Sequence, residues 1–299
     1  MTEAGRVEPL ASSSEGASLK DLSLLVKPRL TSVVLLSSVA GFFLGSDAQT
    51  HWMLLLHMVA GTALVAAGSS CLNQVMERNI DARMRRTQDR PLPARRLEAP
   101  HVLVFGALLT IVGMTYLSLS VNLDAALWAT LTLALYVFAY TPLKRVTTLN
   151  TLVGAVPGAM PPLIGFAAAK GGLDFRAWIL FAIVFVWQLP HFLAIAWLYR
   201  ADYARAGLKM LPGVDPEGLS TGRQIAVHSL TLLPVSLAPA IFKITGAVYL
   251  LGATALGIGF IAFAINFTVK RDDAAARKLF LASVIYLPLL LALMIYDKN

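Results

Sequence analysis

The chain has 299 residues, 57% hydrophobic and only 14% charged, with a mean hydropathy of +0.68. A soluble domain carries about 25% charge, so a water-soluble enzyme or binding module is excluded and a polytopic membrane protein is implied. A net charge of +8 would suit nucleic acid in a soluble protein, but here the lysines and arginines read as anchors for loops on one side of a bilayer, and no nucleic-acid partner is expected.

The chain opens on residues 1–23, polar, Ser-rich and acidic (Glu3, Glu8, Glu15, Asp21), unlike a signal or transit peptide. They are expected to form a disordered cytoplasmic tail, leaving 24–299 as a single transmembrane domain. Nine apolar segments are each long enough to cross a bilayer, which takes about 20 helical residues: 30–46, 52–75, 101–121, 123–141, 149–168, 176–199, 224–242, 247–268 and 278–296. The fold class is therefore all-α, a bundle of about nine transmembrane helices. Of the 25 Lys and Arg, 21 fall in alternate loops, leaving Lys170, Arg176, Lys243 and Lys298 on the other side. That split puts the N-terminus inside and the C-terminus outside. Cys71 is the single cysteine, so an internal disulfide and a cysteine metal cluster are excluded.

The second segment runs on into Asn73, Glu77 and Asp81. Steps of four in a helix drift by only about 40° each, so three oxygen-bearing side chains line one face over about 12 Å. Such a row, followed by Arg78, Arg83, Arg85, Arg86 and Arg90, suits Mg²⁺ bridging to a phosphorylated substrate: the ion takes one or two protein carboxylates and fills its other positions with water and phosphate oxygens. The plainer alternative is a basic membrane flank with an i,i+4 ion pair such as Asp81 with Arg85. Next comes a short turn, Tyr140–Asn150, with Lys144 and Arg145, which satisfies the positive-inside rule and also supplies charge balance to an anion and its metal.

Prolines inside the fifth, sixth, seventh and ninth segments predict kinked helices around a cavity, and Gly154, Gly158 and Gly165 in the fifth allow close helix approach. The sixth segment places Gln188 and His191 on one face at membrane depth, where polar groups are costly. His191 is open to three readings: bonding a carbonyl freed by Pro190, acting as acid or base, or ligating a metal. Asp202 and Tyr203 follow at the membrane edge between Arg200 and Arg205; Asp202 reads either as a surface ion-pair partner or as an acid for a second metal. His51, His57, His101 and His228 have no partner at metal-ligand spacing and read as interfacial or packed.

Asn73…Glu77…Asp81 resembles the NxxxDxxxD signature of intramembrane UbiA-type prenyltransferases. Lys27-Pro28-Arg29-Leu30-Thr31, Met84-x-Arg86-Thr87-x-x-Arg90-Pro91-Leu92, Tyr140-Thr141-Pro142-x-Lys144-Arg145 and Trp187-Gln188-x-Pro190-His191-Phe192 are similar to the branch of that family that farnesylates protohaem. The likeness runs from about residue 24 to the end. The chain departs from the signature in having Glu77 for its first aspartate, and it keeps only Asp202-Tyr203 of the second acidic motif.

The resemblance implies a UbiA-type fold in a bacterial inner membrane and the conversion of protohaem IX to haem O with farnesyl diphosphate. It implies Mg²⁺ as cofactor, held by Asn73, Glu77, Asp81 and Asp202. Arg86, Arg90, Lys144, Arg145 and His191 become catalytic, and Tyr140, Gln188, Arg200 and Tyr203 contact substrate. Membrane lipid and a downstream haem A synthase or terminal-oxidase assembly protein are implied partners. Two alternatives remain from other directions: prenylation of an aromatic quinone precursor, and a membrane transporter.

Overall fold

A computed structural model describes residues 18–46 and 51–299. The expected tail at 1–17 lies outside the described residues. The boundary at residue 23 falls inside a helix, α1 (Leu19–Val26), whose first turn is capped by the Ser18 hydroxyl accepting from the Asp21 N–H. Lys27 then takes a left-handed conformation (φ 49°) and turns the chain into α2 (Pro28–Gly45), with Pro28 at the first helical position, where its missing N–H costs nothing.

Beyond α2 come α3 (Trp52–Asp81), α4 (Ala99–Ser120), α5 (Leu123–Leu143), α6 (Asn150–Ala159), α7 (Pro161–Lys170) and α8 (Phe175–Leu198). Two short helices, α9 (Arg200–Arg205) and α10 (Leu211–Val214), precede α11 (Leu219–Ile241), α12 (Ala247–Lys270) and α13 (Asp273–Tyr296). Taking α6 and α7 as one interrupted crossing, the described residues form nine segments long and apolar enough to span a membrane, and the protein is an integral, multi-pass membrane protein. The hydropathy pattern places all nine; the caps move their ends. Asn122, Asp174 and Asp272 side chains accept first-turn N–H groups of α5, α8 and α13.

The prolines act differently from place to place. The fifth crossing breaks at Met160 because Pro161 and Pro162 have no N–H to continue α6, and the Met160 N–H instead reaches three residues back to the Pro157 carbonyl, at 3.4 Å. Pro190, Pro234, Pro239 and Pro288 lie inside continuous helices. In α5, residues Leu135–Tyr140 form a π-helical turn, in which the Thr141 N–H and hydroxyl both reach the Tyr136 carbonyl; Pro142, which follows, has no N–H to offer Phe138.

Helix α7 is the most enclosed part of the fifth crossing. It lies against α2 with backbone on backbone: a side chain at Gly165 would overlap the Ser38 carbonyl, and one at Gly41 the Pro162 carbonyl. The larger apolar core gathers around α8, α11, α12 and α13, where Tyr249 and Tyr286 are buried with both hydroxyls bonded to Ser236. Leu103, Leu108, Ile111 and Val112 of α4 point outward, as a lipid-covered helix requires.

Candidate active site

Asn73, Glu77 and Asp81 occupy the last turns of α3, all three buried and on one face. Each meets a cation from a different segment. Lys27 Nζ donates to Asn73 Oδ1 at 3.0 Å, Lys144 Nζ to Glu77 Oε1 at 2.8 Å and Arg90 Nη1 to Asp81 Oδ2 at 2.7 Å. The partner of Asp81 is thus Arg90, not the Arg85 that i,i+4 spacing suggests. After Asp81 the chain leaves the helix in a series of tight turns, fixed by the Thr87 hydroxyl donating to the Asp81 carbonyl at 2.9 Å, and these turns bring Arg90 back over the row. Asn73 Nδ2 also donates to the Thr141 hydroxyl at 3.3 Å, tying α3 to the end of α5.

Lys144 stands where the row meets a cavity. Its ammonium lies 4.4 Å from the centroid of the Tyr140 ring. Burial works to lower its pKa, but Tyr140, Glu77 and Tyr136 around it hold it above the ordinary lysine value. Lys27 goes the other way: burial, and then Arg90 beside it, push it down to about 7, with Glu77 opposing. Sequence spacing gave no sign of Lys27 as a member of the site, because its partner is 46 residues away; the motif Lys27-Pro28-Arg29-Leu30-Thr31 marked the segment but not the role of its lysine.

Arg86 lies 4.7 Å from the Tyr199 ring and donates to the Tyr203 hydroxyl at 3.3 Å. An apolar cluster of Ile80, Met84, Ala196, Leu208 and Met210, with Tyr203, packs the turns after α3 onto the segment after α8. Lys209 N–H donates to the Lys144 carbonyl at 2.8 Å, and Asn150 Nδ2 to the Lys209 carbonyl at 2.7 Å, so the three polar loops form one cap. Arg145 is exposed at its rim. Asp202 is turned to Arg205 and to the Arg86 N–H.

Arg200 is directed elsewhere. It donates to Asp273 and to the Trp197 carbonyl, each at 2.7 Å, and joins α9 to α13. Gln188 is buried under Gly158, where a Cβ would strike its Oε1, and it donates to the Ala155 carbonyl at 2.6 Å; it braces α8 against α6. Among the other histidines, His57 pairs with the Tyr116 hydroxyl at 2.7 Å and His228 with the Gln224 carbonyl at 2.6 Å.

Below the cap lies an apolar cavity of about 240 Å³. It begins at Lys144, Tyr140 and Tyr136, passes between Leu30 and Val34 of α2 and Phe192 of α8, and ends at Thr62, Ala129 and Ile164. His191 is next to Phe192 but turned from the cavity toward α13. Its ring stacks on Trp187 with centroids 5.0 Å apart and lies 5.3 Å from Phe280. Its Nδ1 is 2.7 Å from the Ser283 hydroxyl, which itself donates to the Phe280 carbonyl at 2.6 Å. A hydroxyl has one proton, already given to that carbonyl, so in the neutral ring Nδ1 carries the hydrogen and Nε2 keeps its lone pair.

A buried oxygen row, a crown of cations and an apolar chamber beneath them can hold a phosphorylated headgroup with a hydrocarbon tail. The sequence profile described as the UbiA prenyltransferase family matches residues 34–288. The chain belongs to the UbiA prenyltransferase family. As a UbiA protein it is a prenyltransferase, which sets the transporter reading aside. It is 47% identical over 289 residues to the protoheme IX farnesyltransferase of Solibacter usitatus, covering 94% of this chain and 99% of the relative. It is 45% identical over 279 residues to the protein of the same name from Salinibacter ruber, covering 93% and 99%.

Solved UbiA structures share the fold. A digeranylgeranylglyceryl phosphate synthase superposes with a TM-score of 0.77 at 19% identity, covering 93% of this chain and 98% of that one. A UbiA homolog from Archaeoglobus fulgidus, bound to GPP and Mg²⁺, gives 0.65 at 14% identity, covering 92% and 99%.

Proposed function

We propose that this chain converts protohaem IX to haem O, moving the farnesyl group of farnesyl diphosphate onto a haem vinyl group with addition of water and release of diphosphate. The observation that carries the site assignment is the row Asn73, Glu77 and Asp81 set directly above an apolar chamber whose mouth is Lys144. The close relatives in sequence are named for this reaction, which favours it over a quinone-precursor acceptor.

The donor set fits magnesium. Among the described residues no three His, Cys, Asp or Glu side chains converge as a closed metal cage. The row instead offers two carboxylates and an amide oxygen, the hard and incomplete set that Mg²⁺ shares with phosphate oxygens. When bound there, the ion supplies Lewis-acid stabilisation of the departing diphosphate. Asp202, turned to Arg205 and the Arg86 N–H, stands on α9 outside this row, and we assign the ion to the α3 row alone.

The chain's own residues do the rest. Lys144 and Arg90, with Arg86 on the exposed side of the cap and Lys27 in its protonated form, would meet a leaving group carrying about three negative charges, and cations held in place ahead of the reaction are the largest available stabilisation for it. As the carbon–oxygen bond breaks, its electron pair goes to diphosphate and an allylic cation remains at the top of the chamber. There the faces of Tyr136 and Tyr140, with centroids 5.7 Å apart, offer cation–π stabilisation. The haem vinyl π pair closes the new carbon–carbon bond, and water adds to the resulting cation and loses a proton. His191, beside the chamber-lining Phe192 and held by Ser283 through Nδ1, would serve the acceptor, with Nε2 as the nitrogen that would ligate its iron. The polar cap faces the cytoplasm of a bacterial inner membrane, as the charge split of the loops supports.

The test is an assay of purified protein with Mg²⁺, farnesyl diphosphate and either protohaem or 4-hydroxybenzoate. Mass spectrometry should find the hydroxyethylfarnesyl adduct on haem alone, and chelation of the metal should stop its formation. Transfer to 4-hydroxybenzoate and not to haem would overturn the acceptor.

A further inference from the structure

We infer that the chamber floor, formed by Thr62 and Ala129 and backed by Met58, measures the prenyl chain and selects a donor of three isoprene units. The inference rests on the site reading above, with the diphosphate at Lys144 and the tail pointing away from it.

The chamber walls follow helices, so its depth can be read from residue spacing. On α3 the lining runs from Ser70 to Thr62, and on α5 from Tyr140 to Ala129; at 1.5 Å of rise per residue these are about 12 and about 16 Å. A farnesyl chain has twelve main-chain carbons, and with carbon–carbon bonds of about 1.5 Å it extends to roughly 14 Å. The farnesyl length falls between the two walls, whereas a chain one isoprene unit longer, about 19 Å on the same bond lengths, overshoots them by about 7 and about 3 Å.

What stops it is a packed cluster. Met58, one turn beyond Thr62, is fully buried and accepts the Thr62 hydroxyl on its sulfur at 3.6 Å. It belongs with Ala125, Ala129, Ile164 and Phe42 to the core that closes the far end of the chamber. Met58 is the adaptable member, unbranched and filling an irregular gap. Ala129 is the small one, with no exposed surface, where added carbon would enter the chamber. Neither residue touches the polar row, so each alters length discrimination without altering the chemistry at the headgroup.

Two variants move the floor in opposite directions. Met58→Ala deepens the chamber and should raise the ratio of kcat/KM for geranylgeranyl over farnesyl diphosphate at least tenfold. Ala129→Leu raises the floor and should shift the preference at least tenfold toward geranyl diphosphate. Length discrimination is also read without an acceptor, from competition of unlabelled geranyl, farnesyl and geranylgeranyl diphosphates against radiolabelled farnesyl diphosphate on the purified protein with Mg²⁺. Binding ratios that shift as described support the floor even if haem proves not to be the acceptor. Equal affinity of the unaltered protein for all three donors, or ratios unmoved in both variants, overturns it.

Discussion

Glu77→Gln and Asp81→Asn are each expected to lower haem O formation by a hundredfold or more while the protein still inserts and folds. Removing one fixed electrostatic contact to a transition state in a dry site costs about 3–4 kcal/mol, or a hundred- to a thousandfold in rate. Both substitutions keep the side chain's size and leave an oxygen in place, so they remove charge from the row without opening a cavity. They also leave Lys144 and Arg90 without their buried carboxylates, which costs stability. Activity must therefore be read on protein shown to be monodisperse, with farnesyl diphosphate binding measured alongside. Turnover within a few-fold of the unaltered protein in both variants would remove these two residues from the headgroup site.

His191→Ala should lose haem O by about a hundredfold or more and yet leave farnesyl diphosphate binding intact, because the ring stands on the far side of Phe192 from the prenyl chamber. Ser283→Ala tests how the ring is held. An outer partner that fixes the orientation of a metal-ligating histidine is worth about ten- to a hundredfold, so this variant should fall between the unaltered protein and His191→Ala. The spectroscopic signature is decisive: protohaem added to the protein should show a histidine-ligated Soret band that is lost in His191→Ala and returns with added imidazole. A band unchanged in His191→Ala would make the residue something other than the iron ligand.

The nine crossings were legible because lipid leaves a chain only one solution per apolar stretch, a helix. The row on α3 was legible for a similar reason, since a helix fixes which residues share a face. What the sequence could not show was the partner of each charge. Asp81 has arginines four, five and nine residues on, and the turns after α3 choose the ninth. Arg200, beside Asp202 in sequence, reaches α13 instead, 73 residues away. Lys27, quoted only as part of a motif before the first crossing, was not placed in the row because its neighbour in space is on another helix. Gln188 illustrates the same blindness inside the membrane: burial at that depth signals importance, but only packing reveals that its amide holds a backbone carbonyl.

The wide turn in α5 makes the geometry of the candidate site tolerant of a change in chain length at one place. Tyr136, Tyr140 and Lys144 succeed one another at steps of four, and a regular helix would carry the last about 80° away from the first; the extra residue accommodated between Leu135 and Tyr140 takes up part of that drift. Losing a single codon there would leave the crossing nearly as long and as oily as before, so the protein would still thread into the bilayer. It would also turn the wide turn back into regular helix and leave Lys144 near its present face, whereas the same loss in a regular stretch of α5 would rotate everything after it by about 100°, swinging the ammonium of Lys144 off Glu77 and out of the chamber mouth.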